Sequence, residues 1–551
     1  MLSLLLVASS VLFMSFDDDD DFEMLKNLDI LHTLLGELNQ FYVDEISYGK
    51  MIKTGIDAML NSLDPYTNYF PESMMEDYQF MATGHYGGIG AEVQKINNQM
   101  VISDCYAGSP AQIAGLKVGD LVLEVDGQSV VGKNAEDIRA FFNGNPKTQV
   151  ELLIKRTGET AEREISITRE KIEKTNVPYF GMLDKKTGYI KLSGFTQEAS
   201  TQVLEALTEL KEKHGAQNLI LDLRGNPGGF LIESVKIVNI FIERGEVVVS
   251  TKGKKSQRNQ TFRTNTTPYD KDMPLIVLIN SSSASASEIV SGAIQDLDRG
   301  VLVGQRSFGK GLVQETRDLS YNTKMKLTIA KYYIPSGRCI QALDYSNRRE
   351  DGSVGKVPDS LMTEFKTKHG RKVYDGGGVQ PDLETEAHKF AKITKALLEN
   401  HHIFNFATIY ATKHDSIADP RQFKISDTEY AEFVNYVKDK TFDYESLSET
   451  QLKKLIETAT NENYYNKMQN EFAALSAGLA HDRNKDLEFF KNEIKYLINK
   501  EIIGRYYYEK GQTEFMLLND DPEGEKGLDL LDETEMKTYK SLLIGLYKPD
   551  K

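Results

Sequence analysis

Apolar positions recur along this chain with two different periods, and the switches between them mark its elements. FEMLKNLDILHTLLGELNQFYV (22–43) places its apolar residues at helical spacing, and residues from about 22 to 80 read as helices. Strands are predicted at QVELLIKR (149–156) and AEREISITR (161–169), with a helical AEDIRAFFNG (135–144) before them. From about 171 to 385 strands and helices alternate: GYIKLSGF (188–195), a helix near 197–213, an apolar strand Asn218–Arg224, a helical pattern from Phe230 to Ile242, and the strand LIVLIN (275–280). Uninterrupted apolar strands between helices predict a mixed α/β core. Beyond residue 390 the pattern turns helical, charged and tyrosine-rich, as in ITKALLENHHIF and DLEFFKNEIKYLINKEIIGRYYYEKG.

Two loops of this core carry chemistry. NSSSASASEIVSGAIQDLDRGVLVGQRSFGKGLVQ (280–314) sets a serine cluster at a helix start and, one helix and one strand later, Lys310 between two glycines. A serine nucleophile needs a base, and an uncharged lysine amine can serve. Lysine titrates ordinarily near about 10.4, so that role requires burial, which penalises the ammonium form; Val301, Leu302, Val303, Leu312 and Val313 flank it. Ser285 with Glu288 also fits a capping box, and Ser287 could cap while Ser285 reacts. Gly304–Lys310 spells a phosphate-loop pattern, but Gly311 stands where Ser or Thr is needed, and a strand rather than a helix is predicted next. Gln314 could orient the lysine amine only if the glycines bend the backbone, because a regular strand puts 310 and 314 roughly 13 Å apart. Upstream, the strand ending at Arg224 runs into Gly225-Asn226-Pro227-Gly228-Gly229 and then a helix. That turn suits an oxyanion hole, or is a plain strand-to-helix connection.

LDLRGNPGG (221–229), SSASASEIVSGAIQD (282–296), GQRSFGKGLVQ (304–314), YYIPSGRCIQ (332–341) and GGGVQPD (376–382) together resemble, in order and spacing, the C-terminal processing peptidases, also called tail-specific proteases. The resemblance implies Ser285 as nucleophile, Lys310 as general base and Gln314 as its partner. It implies an oxyanion hole from the N–H of Ala286 and one of Gly228 or Gly229, with Gly229 favoured. Gly225 replaces a frequent asparagine of that family, and Cys339 a common serine. The family also carries a PDZ domain ahead of the core. Tyr86-Gly87-Gly88-Ile89-Gly90-Ala91 followed by SPAQIAGLKVGDLVLEVDGQSV (109–130) resembles one; the alternative is an ordinary glycine-rich hairpin. Such a domain adds an extended peptide to a sheet edge and holds its carboxylate on backbone N–H groups. Gly87, Gly88, Ile89 and Gly90 are the expected cradle, with Ile89 free to meet the last side chain. The expected organisation is an apolar segment 1–16, a helical region 17–83, a PDZ domain 84–170, a catalytic core 171–385 and a helical C-terminal domain 386–551.

Composition narrows the partners. Acidic residues number 82 against 66 basic ones, a formal charge of −16, which disfavours nucleic acid. The expected partners are protein or peptide substrates with free apolar C-termini, with a further copy or an adaptor on the helical C-terminal region. MLSLLLVASSVLFMSF (1–16) looks like the apolar part of a signal peptide lacking its basic start, or a short anchor, or a buried helix. Export to the periplasm or cell envelope is expected. The acidic run Asp17–Asp21 reads as solvated and flexible rather than metal-binding. Cys105 and Cys339 are expected as free thiols, and no metal or organic cofactor is implied. The rival from another class is a tail-binding scaffold on an inactive or partner-gated core; an esterase on the same core is a second.

Overall fold

The uninterrupted apolar runs become the centre of a six-stranded sheet. A computed structural model describes residues 18–75, 85–349, 351–442, 444–445, 447–479 and 482–547 of this mixed α/β chain. The apolar segment 1–16 lies outside them. Strand order is Tyr179–Met182, Thr187–Lys191, Asn218–Asp222, Leu275–Ile279, Val301–Gly304, Leu383–Glu384. The first pair is antiparallel and every later pair parallel.

Side chains on successive strand positions face opposite ways, and here the two faces bury against different partners. Leu219, Leu221, Leu275, Val277, Ile279 and Leu302 pack with the helices Ala199–Glu212, Leu231–Phe241 and Ala286–Asp296. Ile220, Ile276, Leu278, Val301 and Val303 pack instead with Leu530, Leu531, Tyr539 and Leu542. Those four come from the helices Pro522–Leu531 and Met536–Leu543 at the far end of the chain. The second layer of the core is therefore supplied by residues that the sequence groups with a separate helical region. A further cluster, built on helices such as Lys392–Glu399, His402–Lys413 and Asp427–Val437, lies within that region, with a smaller one on Leu452, Ala459 and Phe472.

Beside the main sheet, Leu312–Asp318, Lys324–Tyr333, Val247–Gly253 and Gln260–Arg263 pair in that order as antiparallel strands. Residues 85–173 form their own module. Its sheet runs Ala91–Ile96, Gln99–Cys105, Leu121–Val125, Gln149–Lys155, Glu162–Thr168, with helices Pro110–Ile113 and Ala135–Phe142. The helices Asp18–Phe41 and Tyr48–Asn61 belong to a separate unit that ends at Tyr69. Asp18, Asp19, Asp20 and Asp21, from the run expected to be flexible, are helical.

Candidate active site

Three neighbouring parallel strands end in step, with Asp222 beside Leu278 and Ile279 beside Gly304. The loops leaving them emerge side by side at the carboxyl edge of the sheet, the usual place for a site in such folds. The first is the glycine turn 225–229, the second carries the serine cluster, and the third carries Lys310.

Ser285 sits at the mouth of the helix Ala286–Asp296 with φ 57° and ψ −114°. That is a left-handed backbone which a non-glycine residue adopts only when its surroundings impose it. Two side chains do so. The Glu288 carboxylate, fully buried, accepts the Ser285 N–H at 2.8 Å and the Lys310 N–H at 2.9 Å on Oε2. Its Oε1 accepts the Gly309 N–H at 2.7 Å and the Ser307 hydroxyl at 2.5 Å. The Tyr332 hydroxyl lies 3.1 Å from the Ser285 carbonyl and 2.7 Å from the Lys310 carbonyl. Ser285 and Lys310 are thus joined at both their N–H and their C=O groups. Burial pushes the Glu288 carboxyl up to about 7, against the pull of its hydrogen bonds from Ser307, Lys310, Gly309 and Ser285. Ser285 and Lys310 are both half-buried.

The glycine turn is stitched to the same serine cluster. Ala284 donates its N–H to the Asn226 carbonyl at 3.0 Å, and Ser287 donates its hydroxyl there at 2.9 Å. Ser283 reaches the Leu223 carbonyl at 2.8 Å. Ser287 therefore ties the turn down and does not cap the helix. Gly228 has φ +95°, and a Cβ there would lie 2.6 Å from the Ala284 oxygen and 2.8 Å from the Ala286 nitrogen. Only glycine lets the turn approach the helix mouth this closely. The Gly228 N–H is taken by Asn226 Oδ1 at 2.8 Å. The N–H groups of Gly229 and Ala286 have no hydrogen-bond partner among the described residues. Both are available to an anion, one from the turn and one from the first position of a helix.

Gln314 lies in the strand Leu312–Asp318, just past a register shift between Val313 and Gln314, and its amide donates to Thr328 Oγ1 at 3.2 Å. In the 85–173 module, Gly88, Ile89 and Gly90 are buried and Gly87 is half-buried. The Ile89 side chain is wholly enclosed in the module's own core, not turned outward as expected. Packing required an apolar residue there, and Gly87 and Gly88 pair with Lys171 and Glu170 of the strand Glu170–Glu173. Among the described residues no cluster of His, Cys, Asp and Glu is arranged to hold a metal ion, and no helix is long and apolar enough to cross a membrane. Cys105 and Cys339 are free, and burial pushes the Cys105 thiol up to about 12.

Three participants escaped the reading of the sequence. Glu288 showed there as a capping residue, but its reach to the Lys310 loop did not. Tyr332 stood out only as part of YYIPSGRCIQ, and its bonds to the Ser285 and Lys310 carbonyls did not show. Arg338 forms a buried ion pair with Asp296 at 2.9 Å and donates to Gln295 Oε1 at 2.7 Å, fixing the far end of the same helix.

Residues 186–346 match Peptidase family S41, residues 101–156 a PDZ domain, and residues 393–531 the "Probable PDZ-protease, C-terminal helical domain". A "Probable CtpA-like serine protease" of Staphylococcus aureus (strain bovine RF122 / ET3-1) is 36% identical over 316 residues, 57% of this chain and 62% of that protein. The chain thus spans less than two thirds of that relative's length. A protein of the same description from Staphylococcus epidermidis (strain ATCC 12228 / FDA PCI 1200) is 34% identical over 341 residues, 61% of this chain and 68% of its own. Among solved structures, the photosystem II D1 C-terminal processing protease is 26% identical over 64% of this chain and 86% of its own, with a TM-score of 0.36.

Proposed function

The chain belongs to peptidase family S41, and from that premise we propose that it is a serine endopeptidase that engages the C-terminal tails of protein substrates and cleaves them with a Ser285–Lys310 pair. The observation that carries this reading is the double tether of Ser285 to Lys310 through Glu288 and Tyr332, with two N–H groups open beside it.

An apolar substrate tail docks along the PDZ module by strand addition, its carboxylate on backbone N–H groups of the 87–90 segment. Neutral Lys310 accepts the Ser285 hydroxyl proton as Oγ attacks a peptide carbonyl. The N–H groups of Ala286 and Gly229 hold the resulting oxyanion. Collapse of the tetrahedral intermediate expels the amine, which takes the proton back from Lys310. Water, deprotonated by Lys310 Nζ, then attacks the acyl-enzyme; the ester bond breaks, Lys310 returns the proton to Ser285 Oγ, and the acid product leaves. Gln314, whose amide meets Thr328 Oγ1, is the orienting partner of Lys310 in this scheme on the family resemblance alone. No step calls for a metal or an organic cofactor.

The test is an unfolded reporter ending in an apolar free carboxylate, incubated with the protein and with Ser285→Ala and followed by mass spectrometry. Serine-dependent products with retained tail binding by Ser285→Ala are expected. An intact reporter that still binds the wild type would favour the scaffold instead.

A further inference from the structure

The glycine turn is held from beneath by the far end of the chain. Arg224, immediately before it, donates Nε to Asp222 Oδ1 at 3.0 Å and Nη2 to Asp222 Oδ2 at 2.8 Å, gripping the last residue of its own strand. The other side of the guanidinium faces two carboxylates about 300 residues downstream. Nη2 donates to Asp521 Oδ2 at 2.9 Å, Nη1 also pairs with Asp521, and Nη1 donates to Glu523 Oε2 at 3.0 Å. The backbone is fixed as well: the Arg224 N–H meets Asp222 Oδ1 at 2.8 Å, and its carbonyl accepts Lys191 Nζ at 2.7 Å. Nothing in Arg224 is left free to move the turn.

Asp521 and Glu523 are themselves firmly placed. Asp521 caps the helix Pro522–Leu531, accepting the Gly524 N–H at 3.0 Å. That helix is packed on the sheet through Leu530 and Leu531. Glu523 has a second duty: its Oε1 accepts from Gln305 Nε2 and from Thr385 Oγ1. Gln305 opens the loop that leads to Lys310. One carboxylate from the C-terminal helices therefore touches both the residue that starts the glycine turn and the residue that starts the lysine loop.

Stability alone does not account for such a cluster. Asp222, Asp521 and Arg224 are almost wholly buried, and desolvating ions offsets most of their attraction, so an apolar filling would do as well. What an apolar filling would not do is fix direction. Forked, charge-assisted hydrogen bonds set both the distance and the angle of the groups they join, and reaction rates fall steeply with displacements near 1 Å.

We propose that Glu523, together with Asp521, is a positioning residue for catalysis: it holds the glycine turn, through Arg224, and the lysine loop, through Gln305, in register with Ser285. The C-terminal helices then belong to the catalytic device. This rests on the peptidase reading above.

The experiment compares the full-length wild type with Glu523→Gln, Asp521→Asn and Glu533→Gln. Glu533 pairs with Lys186 across the same packing of helices on core but touches neither loop, so its variant is the control. Tail-reporter kinetics, tail affinity, thermal midpoint and backbone hydrogen exchange are measured on each. Glu523→Gln and Asp521→Asn should lose about tenfold in kcat, a fraction of the roughly hundredfold seen when an oxyanion donor is removed outright. KM and tail affinity should stay within about twofold, since only transition-state contacts are disturbed. Exchange should quicken at 225–229 and 305–310 and stay unchanged along 286–296. Glu523 is the less buried of the two carboxylates, so its variant keeps the test open if Asp521→Asn fails to fold. The proposal is overturned if Glu523→Gln keeps its kcat within twofold, if exchange quickens uniformly through the sheet, or if Glu533→Gln loses as much. A wild type that does not cleave would sink the peptidase reading and the catalytic role with it, while the exchange comparison would still decide whether Glu523 holds the two loops.

Discussion

Ser285 holds a conformation that costs on the order of 1–3 kcal/mol in a non-glycine residue, and Glu288 is what keeps it there. Four donors converge on that carboxylate: the N–H groups of Ser285, Gly309 and Lys310, and the Ser307 hydroxyl. Glu288→Gln turns an NH2 group toward donors that need an acceptor. It should cost about 1–3 kcal/mol of stability and lower kcat/KM by roughly a hundredfold through misplacement of Ser285 and Lys310; urea unfolding and reporter kinetics check the two separately. The pH dependence has a defined sign. The folded carboxyl titrates near 7, above its ordinary 4.5, so folding takes up a proton between those values. Its contribution to stability is fullest below about pH 4.5 and is lost as pH rises through about 7. Activity should run the opposite way, gaining a rising limb near pH 7 as the carboxylate becomes a pure acceptor, and Glu288→Gln should lack that limb. The pairing of Ser285 with Glu288 was legible in the spacing S-A-S-E. Its second half was not, because no local pattern announces that a buried carboxylate will also bond a loop twenty residues on.

Strand, turn and helix meet at the glycine turn with almost no clearance. Gly228→Ala puts a methyl carbon where the Ala284 oxygen and the Ala286 nitrogen already lie, at a φ that alanine resists. Both obstacles are backbone, so the turn must withdraw and carry the Gly229 N–H with it. The expected result is a loss of roughly 10²–10³ in kcat with tail binding kept; equal kcat would show that the turn plays no part in the chemistry. At this scale the apolar strands, the serine helix and the strand after Lys310 were all readable from periodicity and capping. The setting of Gln314 was not: it depends on a register shift beside Val313, which is decided by pairing with Lys324–Tyr333 and not by the segment itself. The partners of Tyr332 were hidden for the same reason. Its strand lies in a different sheet from the strand that leads to Ser285, and pairs with the one that follows Lys310.

Across the whole molecule, the catalytic core and the C-terminal helices share one sheet. The sequence separates them at about residue 386, because charge and helical period change there, yet the helices over 522–543 cover the sheet's second face. A period-two pattern inside a wholly apolar strand cannot say which neighbour takes which face. A chain ending at residue 390 would uncover Ile220, Ile276, Leu278, Val301 and Val303. At about 1.5–3 kcal/mol for each such side chain, the loss is comparable with the 5–15 kcal/mol that typically holds a domain folded. That truncation should give a protein that binds hydrophobic dye and is cleaved rapidly by added protease. A cooperative thermal transition near that of the full chain would contradict the shared core.

The proposed pairing of Ser285 with Lys310 stands or falls on tail-reporter cleavage by Lys310→Ala across pH. Lys310→Ala should show no turnover at any pH from about 5 to 10, with tail affinity and thermal midpoint close to the wild type. Near-full cleavage by that variant would mean that another group takes the serine proton.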